Sequence, residues 1–129
     1  MANILIAYHS QSGSTEKLAN MIQAQIGGDV ASIGTKPDVA AYDTVFVGTP
    51  NHAAGASQDI KAYLASVDLS GKTVVPFCTH GMGGEQGCAT DITALVPNSA
   101  VLASFAVKGV EVDAALPAVT TWLEAIGLK

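Results

Sequence analysis

The sequence predicts a three-layer α/β domain, a parallel β-sheet with helices on both faces. Three observations carry this. Apolar segments alternate with segments of helical period along the whole chain, as right-handed βαβ crossovers require. The strand-like segments are near-continuous apolar runs, not period-two patterns, which marks strands buried on both faces. Only 13% of residues are charged while 49% are hydrophobic, against a usual charged fraction of ~25%, so most of each element must be covered. At 129 residues one domain over 1–129 is expected, long enough for a real core. No repeat, low-complexity tract or long linker divides it.

The elements follow in order. Ile4-Leu5-Ile6-Ala7-Tyr8 predicts the first strand. Leu18, Ile22 and Ile26 recur every four residues and predict a helix, stopped by Gly27 as a C-terminal glycine does. The weaker segment 29–33 predicts an edge strand, and Val45-Phe46-Val47-Gly48 predicts the third strand. Ser57 can cap a helix whose Ile60, Tyr63, Leu64 and Val67 share one face. The run 73–78 predicts the fourth strand despite Pro76, a residue seldom tolerated in a central strand. Residues 87–96 predict a helix that groups Ile92, Leu95 and Val96 and ends at Pro97, and 101–107 predicts the last strand. Asp113 can cap the final helix, with Leu116, Val119, Leu123 and Ile126 facing inward. Pro117 leaves the start of that helix open by a residue or more. Tyr8, Phe46 and Trp122 read as core.

Composition excludes several classes. No apolar run reaches ~18 residues, so no membrane span is expected. The N-terminus opens on a strand-like segment without a basic n-region, so no signal peptide is expected and a cytoplasmic location follows. A net charge of −5 argues against nucleic-acid binding, which needs a basic footprint. It allows steering toward basic partners instead. Cys78 and Cys88 form neither a CxxC pair nor a metal quartet. Cys78 reads as a buried inert thiol and Cys88 as lying in the first turn of a helix. His9, His52 and His80 fall in or beside loops without HxxxH or Cys/His spacing, so no metal is expected.

In such sheets ligands bind outside the carboxyl ends of the strands. Three loops lie there, 9–15, 49–56 and 79–87. The first, within "ILIAYHSQSGSTEKLANMI", places Ser10, Ser12, Ser14 and Thr15 around Gly13 with no lysine or arginine among them. A loop running into a helix offers unpaired N–H groups and the positive end of the helix dipole. Hydroxyl donors and a close backbone approach at Gly13 can then hold a phosphate dianion without a countercharge. The alternative is an ordinary serine-rich turn, which needs only one capping hydroxyl. GxxxxGK[ST] is absent. "GMGGEQG" misses GxGxxG because Gln86 stands at the third glycine, and it follows the wrong strand.

"YHSQSGSTEKLA" is similar to the hydroxyl-rich phosphate loop of the flavodoxin family, T/S-x-T/S-G-x-T. "YDTVFVGTPNHAAG" and "SGKTVVPFCTHGMGG" resemble the strands and loops that pack on the two sides of its flavin, and "VTTWLEAIG" its closing helix. The resemblance implies a flavodoxin-like three-layer sandwich with a five-stranded parallel sheet of order 2-1-3-4-5 and bound FMN. Ser10, Gln11, Ser12, Gly13, Ser14 and Thr15 would hold the phosphate. Thr49, Pro50, Asn51, His52 and Ala53 would flank the isoalloxazine ring on one side, and Thr79, His80, Gly81, Met82 and Gly83 on the other. Neither flanking loop supplies the family's usual tryptophan or tyrosine stacker, worth ~0.5–1.5 kcal/mol beyond area burial. His52 and Met82 are the nearest substitutes, and a thioether can recover part of that energy.

The implied function is an electron carrier without catalytic residues. It would shuttle low-potential electrons through semiquinone and hydroquinone flavin between a reductase and an acceptor that dock at the flavin edge. Glu85 and Asp91 would add negative charge near the pocket, and a peptide within Ala53-Ala54-Gly55 could rotate toward the ring. An FMN-dependent NAD(P)H oxidoreductase of the quinone-reductase kind is the alternative, since the missing aromatics open a flavin face. A flavin-free interaction module is a second. A signalling receiver domain fails, because Tyr8-His9-Ser10 and Gly48-Thr49-Pro50 supply no aspartate.

Overall fold

A computed structural model describes residues 3–10, 13–35, 38–52, 55–56, 58–80 and 88–128. The chain runs β1 (Ile4–Tyr8), α1 (Ser14–Ile26), β2 (Asp29–Ser32), β3 (Thr44–His52), β4 (Gly55–Ala56), α2 (Gln58–Ser66), β5 (Thr73–His80), α3 (Cys88–Leu95), β6 (Ala100–Val101), β7 (Phe105–Lys108) and α4 (Leu116–Ala125). Short 3-10 segments cover Ile33–Thr35 and Gly109–Ala114.

The sheet runs β2-β1-β3-β5, with β6 and β7 both on the far edge of β5. These contacts are all parallel, while the two-residue β4 folds back antiparallel on β3. Counting β6 and β7 as two pieces of one edge strand, the order is the expected 2-1-3-4-5 of a flavodoxin-like α/β sandwich.

The predicted last strand is thus broken, and Pro76 explains where. The Val74 carbonyl accepts from the Leu102 N–H at 3.0 Å, so β5 turns residue 74 toward the edge strand. Backbone groups alternate with period two, so residue 76 faces the same way. Proline has no N–H to give, and the ladder lapses between the Val74–Val101 and Phe77–Phe105 pairs. The proline is tolerated in an inner strand because the break falls on its edge-ward side. Trp122 repairs part of the gap, its indole N–H donating to the Ala103 carbonyl at 2.8 Å.

Both faces of the sheet are covered, which is why the strands read as continuous apolar runs. Leu5, Ala7, Val45, Val47 and Val74 turn to one face and meet Ile60, Tyr63 and Leu64 of α2 and Ile92 of α3. Ile6, Tyr8, Phe46, Val75 and Phe77 turn to the other and meet Leu18 and Ile22 of α1 and Val119, Trp122 and Leu123 of α4. Gly48 is required here, since the edge of the Phe77 ring occupies the place a Cβ would take. At the end of α1, Gly27 adopts φ +76° and donates to the Gln23 carbonyl at 2.8 Å, the expected glycine stop.

Two expectations fail at the last helix. Asp113 does not cap it: it lies in the preceding 3-10 segment, and the N-cap is Ala115 without a side-chain bond. The Asp113 carboxylate instead meets Lys17 of α1 at 3.4 Å. Leu116 does not face inward either but is 42% exposed: it is the first residue of the helix, and the core contact begins at Val119 and continues through Leu123 and Ile126. In α3, Leu95 separates from the buried Ile92 and Val96 and lies at the surface. The predicted cap Ser57 lies outside the described residues.

Candidate functional site

The carboxyl ends of β1, β3 and β5 form one rim, and α1 begins over it. Gly13 is the N-cap of α1 in a left-handed conformation, φ +92°, with no side-chain cap bond. That conformation favours glycine, and it turns the chain so that its N–H donates back to Ser10 Oγ at 3.0 Å. The Ser10 hydroxyl thereby accepts from the loop and retains its own O–H as a donor. The first N–H groups of any α-helix have no intrahelical partner; here they point to the rim, where the dipole favours negative charge.

Long-range contacts fix this helix start. Thr15, buried in the first turn of α1, shares a 2.7 Å hydroxyl–hydroxyl bond with buried Thr79 near the end of β5. Ser14 Oγ donates to the Gly109 carbonyl after β7 at 3.4 Å. A Cβ at Gly109 would stand 2.9 Å from that hydroxyl, so glycine allows the approach. The first and third loops are therefore joined at their bases. His9 ties the first loop to β3, its N–H donating to the Gly48 carbonyl at 3.0 Å.

The other expected residues distribute as follows. Thr49 and Pro50 continue β3 beside Cys78 and Thr79 of β5. Thr49 is fully buried and its hydroxyl donates to the Pro50 carbonyl at 2.8 Å. Asn51 and His52 extend β3 and pair with Ala56 and Gly55, but their side chains are not among those described. His80 ends β5, half-buried. Gln11, Ser12, Ala53, Gly81, Met82 and Gly83 lie outside the described residues, as do Ala54 and Glu85. Asp91 sits in the first turn of α3, with Lys61 of α2 at 3.6 Å.

A cleft of about 840 Å³ opens beside the rim, on the β2 side of Ser10. Its walls include His9, Ser32, Ile33, Asp38, Asp59 and Tyr63. Asp38 and Asp59 are not among the residues the sequence singles out. His9 Nε2 lies 3.2 Å from Asp59 Oδ2, a pairing across 50 positions that no local pattern announces. Burial, with Asp38 adding to it, pushes the Tyr63 phenol up to about 12. On the opposite sheet face, burial and then the 3.0 Å bond it donates to Glu16 push the Tyr8 phenol upward.

A doubly wound parallel sheet of this order, with helices on both faces, defines the class of flavodoxin-like α/β sandwiches. Within that class, the chain belongs to the flavodoxin domain family, whose model matches residues 5–123. It is 36% identical over 98 residues to flavodoxin 1 of Escherichia coli K12, covering 69% of this chain and 54% of that protein. The chain spans about half the length of the curated relatives it matches. Among solved structures it resembles a Fusobacterium nucleatum flavodoxin bound to flavin mononucleotide, with a TM-score of 0.80, 14% identity, and 98% and 97% of the two chains covered. It also resembles oxidised flavodoxin 1 of Bacillus cereus, with a TM-score of 0.68, 22% identity, and 95% and 98% covered. Among the described residues no helix is long and apolar enough to cross a membrane.

Proposed function

We propose that residues 1–129 form one FMN-binding domain that carries electrons between redox partner proteins, a reductase and an acceptor, in the cytoplasm. The start of α1 carries this reading. Gly13 leaves it without a side-chain cap, and the 2.7 Å Thr15–Thr79 bond holds it over the rim. The donor set fits a mononucleotide phosphate. It consists of uncharged hydroxyls and amides at a helix N-terminus, the arrangement that favours an anion without a countercharge. The nearby Lys17 cation is turned to Asp113.

Ser10, Gln11, Ser12, Gly13, Ser14 and Thr15 hold the phosphate. The carboxyl ends of β3 and β5 and the residues that follow them would flank the ring, through Thr49, Pro50, Asn51, His52 and Ala53 and through Thr79, His80, Gly81, Met82 and Gly83. The buried hydroxyls of Thr49 and Thr79 brace these strand ends. FMN, when bound, supplies the one-electron chemistry that the side chains lack. Eleven acidic side chains against six basic ones disfavour added negative charge at a partly desolvated site, so the chain holds its cofactor at low potential. The same field steers basic partner surfaces to the rim. Both cysteines are thiols outside any disulfide, which suits a reducing compartment.

Titrating the purified chain with FMN, read by the visible band and by loss of free-flavin fluorescence, tests this. Saturable binding is expected. Thr15→Val is expected to weaken it about tenfold, the scale of a hydrogen bond to a charged group. A chain that leaves FMN fluorescence unchanged ends the reading. Bleaching of bound flavin by NADPH alone, without a separate reductase, would mark an enzyme instead of a carrier.

A further inference from the structure

Neither cysteine takes part in the site proposed above, yet the fold brings them together. Cys78 lies in β5 and Cys88 opens α3. Their sulfurs are 2.9 Å apart, both side chains are about 1% exposed, and neither is in a disulfide. That separation is less than an ångström beyond the ~2.05 Å of a disulfide bond. Both backbones are held firmly. Cys78 is paired on its two sides, with Thr49 of β3 and Ala106 of β7. The helix that Cys88 starts is anchored by fully buried Ile92 and tied to α2 through Lys61 and Asp91. The approach of the sulfurs is therefore a property of the packed core.

We propose that Cys78 and Cys88 are a reversible dithiol–disulfide pair that covalently joins β5 to the start of α3. The oxidant is a low-molecular-weight disulfide. A thiolate formed at Cys88, the first residue of α3, attacks one sulfur of that disulfide and expels one small thiolate. The Cys78 thiolate then attacks the Cys88 sulfur of the mixed disulfide and expels the second. Two protein thiols are oxidised, one external disulfide is reduced to two thiols, and the two protein protons end on the released thiolates. Burial makes the exchange slow and restricts it to small oxidants. Because the bond would tie β5, whose end carries Thr79 and His80, to α3, it would constrain one flank of the proposed flavin site. That consequence rests on the proposed function, whereas the bond itself does not.

The unmodified chain serves for the test. It is incubated with oxidised glutathione, quenched in acid, and cut first with trypsin and then after glutamate. Lys72 and Lys108 bound a tryptic fragment, 73–108, that contains both cysteines, and Glu85 lies between them. The expected result is that 73–85 and 86–108 stay joined until a reductant is added, with no bond between two chains. Fragments that part without reductant, glutathione adducts that persist on either cysteine, or a bond between two chains would each overturn the proposal. A reduced chain that binds no FMN while its fragments still join on oxidation would remove the flavin reading and leave the dithiol standing.

Discussion

The two faces of the sheet are built from different materials. Under α1 and α4 lie rings: Phe46 meets Trp122 edge-on at 5.9 Å and Phe77 at 6.5 Å, and Phe105 stacks on Trp122 at 5.1 Å. Under α2 and α3 lie aliphatic side chains, the phenol of Tyr63 and the two cysteines. The cleft with His9, Asp38 and Asp59 opens beside α2 and Tyr63. Aromatic pairs add ~0.5–1.5 kcal/mol each beyond area burial, so the first face anchors the domain. The second holds Tyr63, the two buried cysteines and the cleft lined by His9, Asp38 and Asp59. The start of α1, which carries the proposed phosphate site, is thus seated on the ring face.

Truncating the ring face should have the largest effect. Phe46→Ala is expected to cost about 3–5 kcal/mol of stability, measured by urea unfolding. A smaller loss than that of Leu64→Ala on the opposite face would dissolve the asymmetry. Next comes pH. Tyr63 keeps its proton in the fold up to about 12 against an ordinary 10.0, so the folded state binds more protons between those values. Its stabilisation is complete below pH 10 and lost as pH rises through that window, a swing of roughly 2–3 kcal/mol at about 1.4 kcal/mol per unit. Tyr63→Phe should flatten that part of the alkaline unfolding curve, and an unchanged curve would assign the effect elsewhere.

Trp122→Phe keeps a ring but removes the indole donor to Ala103, leaving the carbonyl in the strand break without its partner. A loss of about 1–2 kcal/mol is expected, together with faster amide exchange at 102–105 than at 73–75. Uniform exchange across both would mean that Trp122 does not brace the break. The smallest effect belongs to the surface. Lys17 and Asp113 are 57% and 78% exposed, so Lys17→Ala should change stability by no more than about 0.5 kcal/mol. A larger loss in the same unfolding assay would show that the pair locks α1 to the segment before α4.

The sequence was most informative where structure is local. The β1 run ended where read, and the α1 repeat stopped at Gly27. It was weakest where a residue has two outlets. Asp113 looked like a cap, but a carboxylate at the surface can equally pair with a cation on another helix, as it does with Lys17. Pro76 warned of trouble in β5, and the cost fell on the neighbouring edge, which local reading assigns to no strand in particular. The hydroxyl loop was visible as composition, while the side of Ser10 on which a cleft opens was not.

Alternating apolar runs, glycine stops and the hydroxyl-rich loop after the first strand were settled by the chain alone, because burial on two faces and backbone freedom act over a few residues. The tertiary structure decided which groups meet. Thr15 finds Thr79 across 64 positions, and His9 finds Asp59 across the sheet rim. Even Cys78 and Cys88, ten apart, meet only because a strand and a helix pack against each other. Such contacts depend on how whole elements cover one another, and no short-range pattern encodes that.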